Sequence, residues 1–324
     1  VGDTGVTGRK KILKLVQLAV TILLLGYLVI HWGYSFNLLA ADARMPLWLL
    51  PCIFNAVFIT PLLAGCRWQA VLKAVRVPAI QLMELIKINF LSIFWGAMLP
   101  SGDGFAFIRM ALIAHKHPEI KEKTIGSIVL EKYFGVLILL TTALAAGFFL
   151  GHPQTGNLRI ILIILLSVMI GLVALIALMP GLKKPVTGNS IFKRVQRFIQ
   201  MLLFSWQTAE KGKLILACLF IFSVQVMSYI VIYSLFRFMG YDLPMLNHFC
   251  LVPIIQVISL LPFTIGGFGI REGAFIYFYQ QLGVPAHSLI TLSILNFFIQ
   301  TGIPALIGGI YSLAGHISFS GVRE

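Results

Sequence analysis

Charge is scarce in this sequence. Only 11% of its 324 residues are Asp, Glu, Lys or Arg, where a soluble domain carries about a quarter, and this excludes an ordinary water-soluble globular protein. Acidic residues are scarcer still: 11 Asp+Glu stand against 25 Lys+Arg, a formal net charge of +14. In a soluble chain that balance suggests nucleic acid. In a chain this apolar it points to anionic lipid, and no nucleic-acid partner is expected. Cysteine is limited to Cys52, Cys66, Cys218 and Cys250. All four lie in or at the end of apolar runs without CxxC or Cys/His spacing, so they read as inert packing residues and no metal site is expected. There is no phosphate-cradling loop, no HExxH and no nucleophile elbow. An ATP-driven pump is not expected unless another chain supplies the ATPase, and no cofactor is expected.

Hydrophobicity is what the sequence has in excess, with 59% apolar residues and a mean hydropathy of +0.94. A membrane span needs about 20 apolar residues, so these residues have room for six to eight spans and little else. No separate water-soluble catalytic domain is expected within them. Full-length apolar stretches run from Lys14 to Trp32, Pro46 to Cys66, Thr124 to Leu150, Arg159 to Met179, Lys213 to Phe238 and Pro285 to Leu313. The first follows Arg9-Lys10-Lys11 and has no small-residue cleavage site, so it reads as a transmembrane helix rather than a signal peptide. Two further apolar regions, 80–114 and 246–282, are broken near the middle by Pro and Gly, at Pro100, Gly102 and Gly104 and at Pro262, Gly266, Gly267 and Gly269. The expected fold is an all-α integral membrane protein with about six transmembrane helices plus two Pro/Gly-broken re-entrant hairpins.

Short loops rich in Lys and Arg stay on the cytoplasmic side. With the N-terminus inside, Lys73, Arg76, Lys116, Lys121, Lys123, Lys183, Lys184 and Lys211 all fall inside, and the outer loops keep little beyond Arg44, Arg159 and Arg237. The bias survives only if each broken region enters and leaves by one face. It therefore favours two re-entrant hairpins in a multi-pass protein of the inner (cytoplasmic) membrane, with both termini cytoplasmic. Between residues 181 and 212, apolar positions recur at helical spacing with Lys193, Arg194 and Arg197 among them. This is a basic amphipathic helix suited to an anionic leaflet, or else a solvated linker helix.

The two breaks align without a gap, Leu99-Pro-Ser-Gly-Asp-Gly-Phe-Ala-Phe-Ile-Arg109 against Leu261-Pro-Phe-Thr-Ile-Gly-Gly-Phe-Gly-Ile-Arg271. Leu, Pro, one Gly, Ile and Arg coincide, and these include the helix breakers and the cation. With the preceding spans running in opposite directions, the chain reads as one membrane domain made of an inverted repeat. Repeat A covers about 46–150, a cytoplasmic amphipathic linker about 181–212, and repeat B about 213–313. Transporters place substrate sites at such discontinuous helices, and broken backbone at membrane depth implies a polar cavity.

Ionisable groups inside apolar stretches mark functional sites by default. Arg67, Asp103, Arg109, Glu131, Lys132, Arg271 and Glu272 are the candidate substrate-binding residues. Arginine offers a fixed fork of donors for phosphate oxygens, and a half-helix N-terminus adds free N–H groups. Alternatively Arg109 pairs with Asp103 or Glu131, and Arg271 with Glu272 or Glu131, as structural ion pairs. Arg67-Trp68 reads as the inner end of its span, a snorkelling anchor or a ligand contact, with Trp68 and Trp206 in the aromatic belt. Glu84 and Lys87, at i and i+3, are placed to satisfy one another. His115 and His117 read as interfacial, His248 carries no signal, and Gly308-Gly309 reads as a packing contact.

Arg67-Trp68, the Asn89 to Arg109 stretch with Leu-Pro-Ser-Gly-x-Gly, the Glu131-Lys132 pair and the Pro262 to Glu272 segment with Gly-Gly-x-Gly-x-Arg-Glu together resemble the lysylphosphatidylglycerol synthase transmembrane-region family. The resemblance covers nearly the whole chain and implies a stand-alone flippase-like member without the soluble aminoacyl-transfer domain. Gly135 stands where the family pattern usually has an acidic residue. The expectation is a lipid flippase moving an anionic or phosphate-bearing lipid: a phospholipid, an aminoacylated lipid or a polyprenyl-phosphate-linked lipid. Its expected partners are anionic membrane lipids and a lipid-modifying enzyme. The alternatives are a membrane-embedded transferase or its accessory subunit, acting on a lipid-linked donor with Asp103, Glu131 or Glu272 as base, and a non-transporting cell-envelope scaffold.

Overall fold

The computed structural model describes residues 45–78, 80–97, 104–149, 205–259 and 269–313, with isolated positions between 160 and 171 and at 200. All regular structure among them is helical. Helix α1 (Met45–Phe54) continues through a π-turn (Asn55–Ile59) into α2 (Thr60–Ala74). Then come α3 (Leu82–Ala97), α4 (Gly104–Lys116), α5 (Lys121–Phe149), α6 (Lys211–Phe238), α7 (Met245–Ser259), α8 (Ile270–Tyr279) and α9 (Ala286–Phe297). A second π-turn (Phe298–Gly302) leads from α9 into α10 (Ile303–Leu313).

Four helices are long and apolar enough to cross a membrane: Leu49–Ala74, Lys123–Ala145, Lys211–Phe238 and Ala286–Leu313. They coincide with four of the six expected spans. The expected span from Lys14 to Trp32 lies outside the described residues, as do most of 159–179, most of the 181–212 linker, and the breaks at Pro100, Gly102, Asp103, Pro262, Gly266 and Gly267.

Both π-turns have one cause. Each ends two residues before a proline, Pro61 and Pro304. A proline donates no N–H and its ring crowds the carbonyl four residues back. Widening one turn relieves the clash while the helix continues, the kind of local adjustment that lets proline persist in membrane helices.

The second expected span ends too early. Its helix runs past Cys66 to Ala74, because Val71, Leu72 and Ala74 are buried and hold it helical although Gln69 and Lys73 lower its hydropathy. Arg67 and Trp68 are therefore interior to the span. Past Ala74 the helix stops with Arg76 at φ 56°, and the Val77 N–H returns to the Leu72 carbonyl. Such a left-handed residue at a helix end is usually glycine. Here the arginine reaches Glu210 at 3.4 Å, and the Glu210 N–H donates to the Ala74 carbonyl. A hydrogen bond from Lys213 holds the Glu210 carboxyl below the usual carboxylate range.

Helices α3 and α4 form an antiparallel hairpin. At its base Glu84 meets Lys116 at 2.8 Å and His117 at 2.9 Å. Toward its tip the backbones are so close that a Cβ on Gly96 would stand 2.4 Å from the Phe105 nitrogen. Helices α7 and α8 form a second hairpin, tied near its base by His248 Nδ1 and the Tyr279 hydroxyl at 2.9 Å. The two bases lie at opposite ends of the bundle. The first shares its end with the C-terminus of α2 and the N-terminus of α6, and the second with the C-terminus of α6 and the N-terminus of α9.

Each hairpin has its own apolar core. One holds Trp68, Val71, Leu85, Ile88, Ile113 and Leu130, and the other Phe236, Val252, Ile255, Phe275, Tyr279 and Leu289. Each also packs on a span from the other half of the chain. Helix α10 lies on α3, where a Cβ on Gly308 would stand 2.1 Å from the Phe90 carbonyl oxygen, and α7 lies on α5 through Ile254, Leu140 and Ala143. The Gly308-Gly309 pair is thus an internal packing contact. Leu219, Leu306 and Ile310 are exposed on the outer surface of the spans, as suits helices facing hydrocarbon.

Candidate functional site: two arginine centres

The first centre is built from α2, α4 and α5. Arg109 donates both Nη atoms to Glu131, at 3.3 Å and 2.8 Å, and Arg67 Nη2 reaches the same carboxylate at 2.6 Å. Arg109 and Glu131 are buried, while Arg67 keeps 22% of its side chain exposed. Taking an ion out of water costs several kcal/mol, recovered only by close partners, which accounts for the tight pairing. The Trp68 ring lies against the Arg109 guanidinium, 4.7 Å from Cζ to the centroid, and its Nε1 donates to Ser127 Oγ at 3.4 Å. Cation and ring attract one another, and the serine fixes the plane of the ring. Lys132, on the same turn as Glu131, places Nζ 4.8 Å from the centroid of Phe105 at the start of α4.

Two cations therefore share one carboxylate, and a third stands beside it. The Nε atoms of Arg67 and Arg109 are buried without a hydrogen-bond partner. A buried charged donor left unpaired is costly, and an anion delivered here would satisfy both.

The second centre is built from α8 and α9. Arg271 donates through Nε and Nη2 to Glu272, at 3.3 Å and 2.9 Å, and through Nε to Ser293 Oγ at 2.9 Å. Glu272 is fully buried and accepts two further bonds, from Ser293 Oγ at 2.7 Å and from the Gly269 N–H. The latter caps α8 from one side only, since a glycine has no side chain to return the bond. Gly269 lies at φ 86°, where a side chain would be strained. Phe297 faces Arg271 from α9 at 5.2 Å. Among the described residues, one cation and one carboxylate meet here.

The sequence places the charged residues of both centres in or beside apolar stretches but mistakes several of their relations. Arg67 is an ion-pair partner rather than a snorkelling anchor, because its helix continues for two further turns. Trp68 is buried beneath Arg109 and takes no part in an aromatic belt. Glu84 pairs with Lys116 and His117 across the hairpin base instead of with Lys87, because its carboxylate is turned toward the end of α4. His248 is fully buried between the two helices of its hairpin. Of the breaks, Gly104 is buried at the start of α4 and Gly269 caps α8. Asp103 lies outside the described residues. Among the described residues no group of His, Cys, Asp and Glu is placed to hold a metal ion.

Ser127 and Ser293 escaped the sequence reading, although Ser293 had a signal. Glu131 follows Arg109 by 22 residues, and Ser293 follows Arg271 by 22. In both halves the arginine of the returning half-helix docks on the next span at the same spacing.

The family described as the lysylphosphatidylglycerol synthase TM region matches residues 14–308, which include both centres. The chain belongs to that family. Long apolar helices and membership together make it a multi-pass membrane protein whose function concerns membrane lipid. No curated protein matches the chain. Glu131 and Lys132 stand inside the span Lys123–Ala145 and do not open it. At Gly135 a Cβ would meet nothing within 4 Å, so the glycine is not imposed by crowding.

Proposed function

We propose that this protein is a lipid transporter that carries an anionic, phosphate-bearing lipid between leaflets. The headgroup passes between two re-entrant hairpins while the acyl chains stay in the bilayer. The observation that carries this reading is the first centre, where Arg67 and Arg109 share Glu131 and each keeps a buried Nε without a partner. A phosphate oxygen accepts from such donors at little structural cost, since Glu131 stays bonded throughout. The second centre receives the headgroup by exchange. Glu272 remains held by Ser293 and the Gly269 N–H when Arg271 turns to the lipid.

The packing supports an inverted repeat. Exchanging the two halves carries α3 on α10 into α7 on α5, and leaves the pair of leading spans, α2 and α6, packed on each other. The hairpin bases lie at opposite ends, and α3 and α4, at about 24 Å and about 20 Å by helical rise, fall short of the roughly 30 Å hydrocarbon core. The end bearing Lys73, Arg76, Lys116, Lys211 and Lys213 faces the cytoplasm by the positive-inside rule, in the inner membrane. A lipid-modifying enzyme is the partner expected to supply the cargo. Among the described residues both buried carboxylates are engaged by arginine, which suits counter-ions better than catalytic bases, so the chain changes the lipid's leaflet and not its chemistry.

The test is transport of tail-labelled phosphatidylglycerol in proteoliposomes, followed by quenching of the outer leaflet. Wild type is expected to move the lipid without altering its mass, and Arg109→Ala to fall about a hundredfold toward the protein-free rate, as loss of a charged contact implies. Transport by Arg109→Ala at the wild-type rate sinks the proposal, and a change in lipid mass transfers it to the transferase reading.

A further inference from the structure

We infer that a ladder of uncharged amides and hydroxyls joins the two arginine centres and selects headgroups that carry hydroxyl groups beside the phosphate. This rests on the transport reading above and names what lies between its two stations.

The ladder starts one helical turn beyond Glu131, where the Gly135 carbonyl accepts from Gln225 Nε2 of α6 at 3.2 Å. Three residues along α6, on the same face, Ser228 donates to Gln300 Oε1 at 2.9 Å and accepts from Gln256 Nε2 of α7 at 3.4 Å. Gln300 lies in the π-turn and donates through Nε2 to Asn296 Oδ1. Asn296 in turn stands three residues from Ser293, the partner of Arg271 and Glu272. A backbone carbonyl of α5 and side chains from α6, α7, α9 and the π-turn after it thus converge on one polar line through helices that are otherwise apolar.

Three properties of the line fit a headgroup path. It carries no charge, so an anion leaving one arginine centre meets no second trap before the other. Each amide and hydroxyl both donates and accepts, which matches the hydroxyls of a glycerol- or sugar-type headgroup and offers nothing to a quaternary ammonium. Gln225, Ser228, Gln256 and Gln300 are half-buried rather than sealed, so their amides can turn from one another to a passing ligand. Proton conduction suits the line less well, because carboxamides in series do not relay protons as hydroxyls and imidazoles do. Interhelical glue is the remaining reading of such bonds. It predicts effects on stability and none on headgroup preference.

The test compares tail-labelled phosphatidylglycerol with phosphatidylethanol in proteoliposomes of the whole chain. Both are singly charged phosphodiesters, and only the first has headgroup hydroxyls. Wild type is expected to move phosphatidylglycerol about tenfold faster or more, in keeping with a site built to bond a hydroxyl. Gln300→Leu is expected to bring the ratio near one by slowing phosphatidylglycerol alone. Ser228→Ala removes a single oxygen, and carries the same expectation should the leucine variant misfold. Equal rates for the two lipids in wild type overturn the inference, as does an unchanged ratio in a folded variant, and both leave transport standing. If wild type moves neither lipid, the transport reading falls and takes the ladder with it.

Discussion

A guanidinium that shares a carboxylate and one that has its own respond differently to removal. In Arg67→Gln, Glu131 keeps both bonds from Arg109, so the loss of stability is expected to be about 1.5–3 kcal/mol, the net worth of one hydrogen bond to a charged group. Binding of anionic lipid is expected to weaken with the surplus charge gone. In Arg271→Gln, Glu272 becomes a fully buried charge without a cation, which costs about 3–5 kcal/mol. Thermal unfolding in detergent checks both losses, and native mass spectrometry checks the bound lipid. Equal destabilisation by the two variants would show that Glu131 needs both of its arginines. The ions themselves were legible, since a charge inside an apolar run is conspicuous. Their pairing was not, because Arg67, Arg109 and Glu131 come from three helices, and a sequence names alternatives for Arg109 without choosing among them. Ser293 stayed hidden because a serine raises no alarm in hydropathy.

Glycine sets how closely the first hairpin and the last span approach. At Gly308 an added methyl would meet the Phe90 backbone carbonyl at 2.1 Å, and backbone cannot yield without moving a helix. At Gly309 the nearest atom is Cε2 of the Phe94 ring at 3.1 Å, and a ring can shift. Gly308→Ala is therefore expected to destabilise by about 1–3 kcal/mol, as overpacking does, and Gly309→Ala by clearly less. A thermal-unfolding comparison decides, and equal effects would mean that α10 does not dock on α3 in this register. The sequence separated α3 from α4 and α7 from α8, because proline and glycine announce where helices break. It did not give the π-turns, since hydropathy is blind to ring size, although Pro61 and Pro304 were the available clue. The early end assigned to the second span has a similar origin, because hydropathy weighs Gln69 and Lys73 but not the packing that keeps them helical.

Taken whole, the molecule has to place its two hairpin bases on opposite sides of the bilayer if the halves are inverted. Composition made the all-helical membrane class legible, and loop charge is what the proposed orientation rests on. How the halves pack was not, because apolar faces look alike whether they meet lipid or another helix. Glu119, beside the first base, and Asp242, beside the second, expose 64% and 80% of their side chains. Each therefore accepts a reporter without disturbing the core. In a background lacking the four native cysteines, Asp242→Cys is expected to react with a membrane-impermeant maleimide applied outside intact cells. Glu119→Cys is expected to react only after the membrane is opened, because its end carries the basic residues that remain cytoplasmic. The opposite pattern would keep the inversion and reverse the orientation. Labelling of both from outside would put the two bases on one face, and a headgroup path from one hairpin to the other would then no longer cross the membrane.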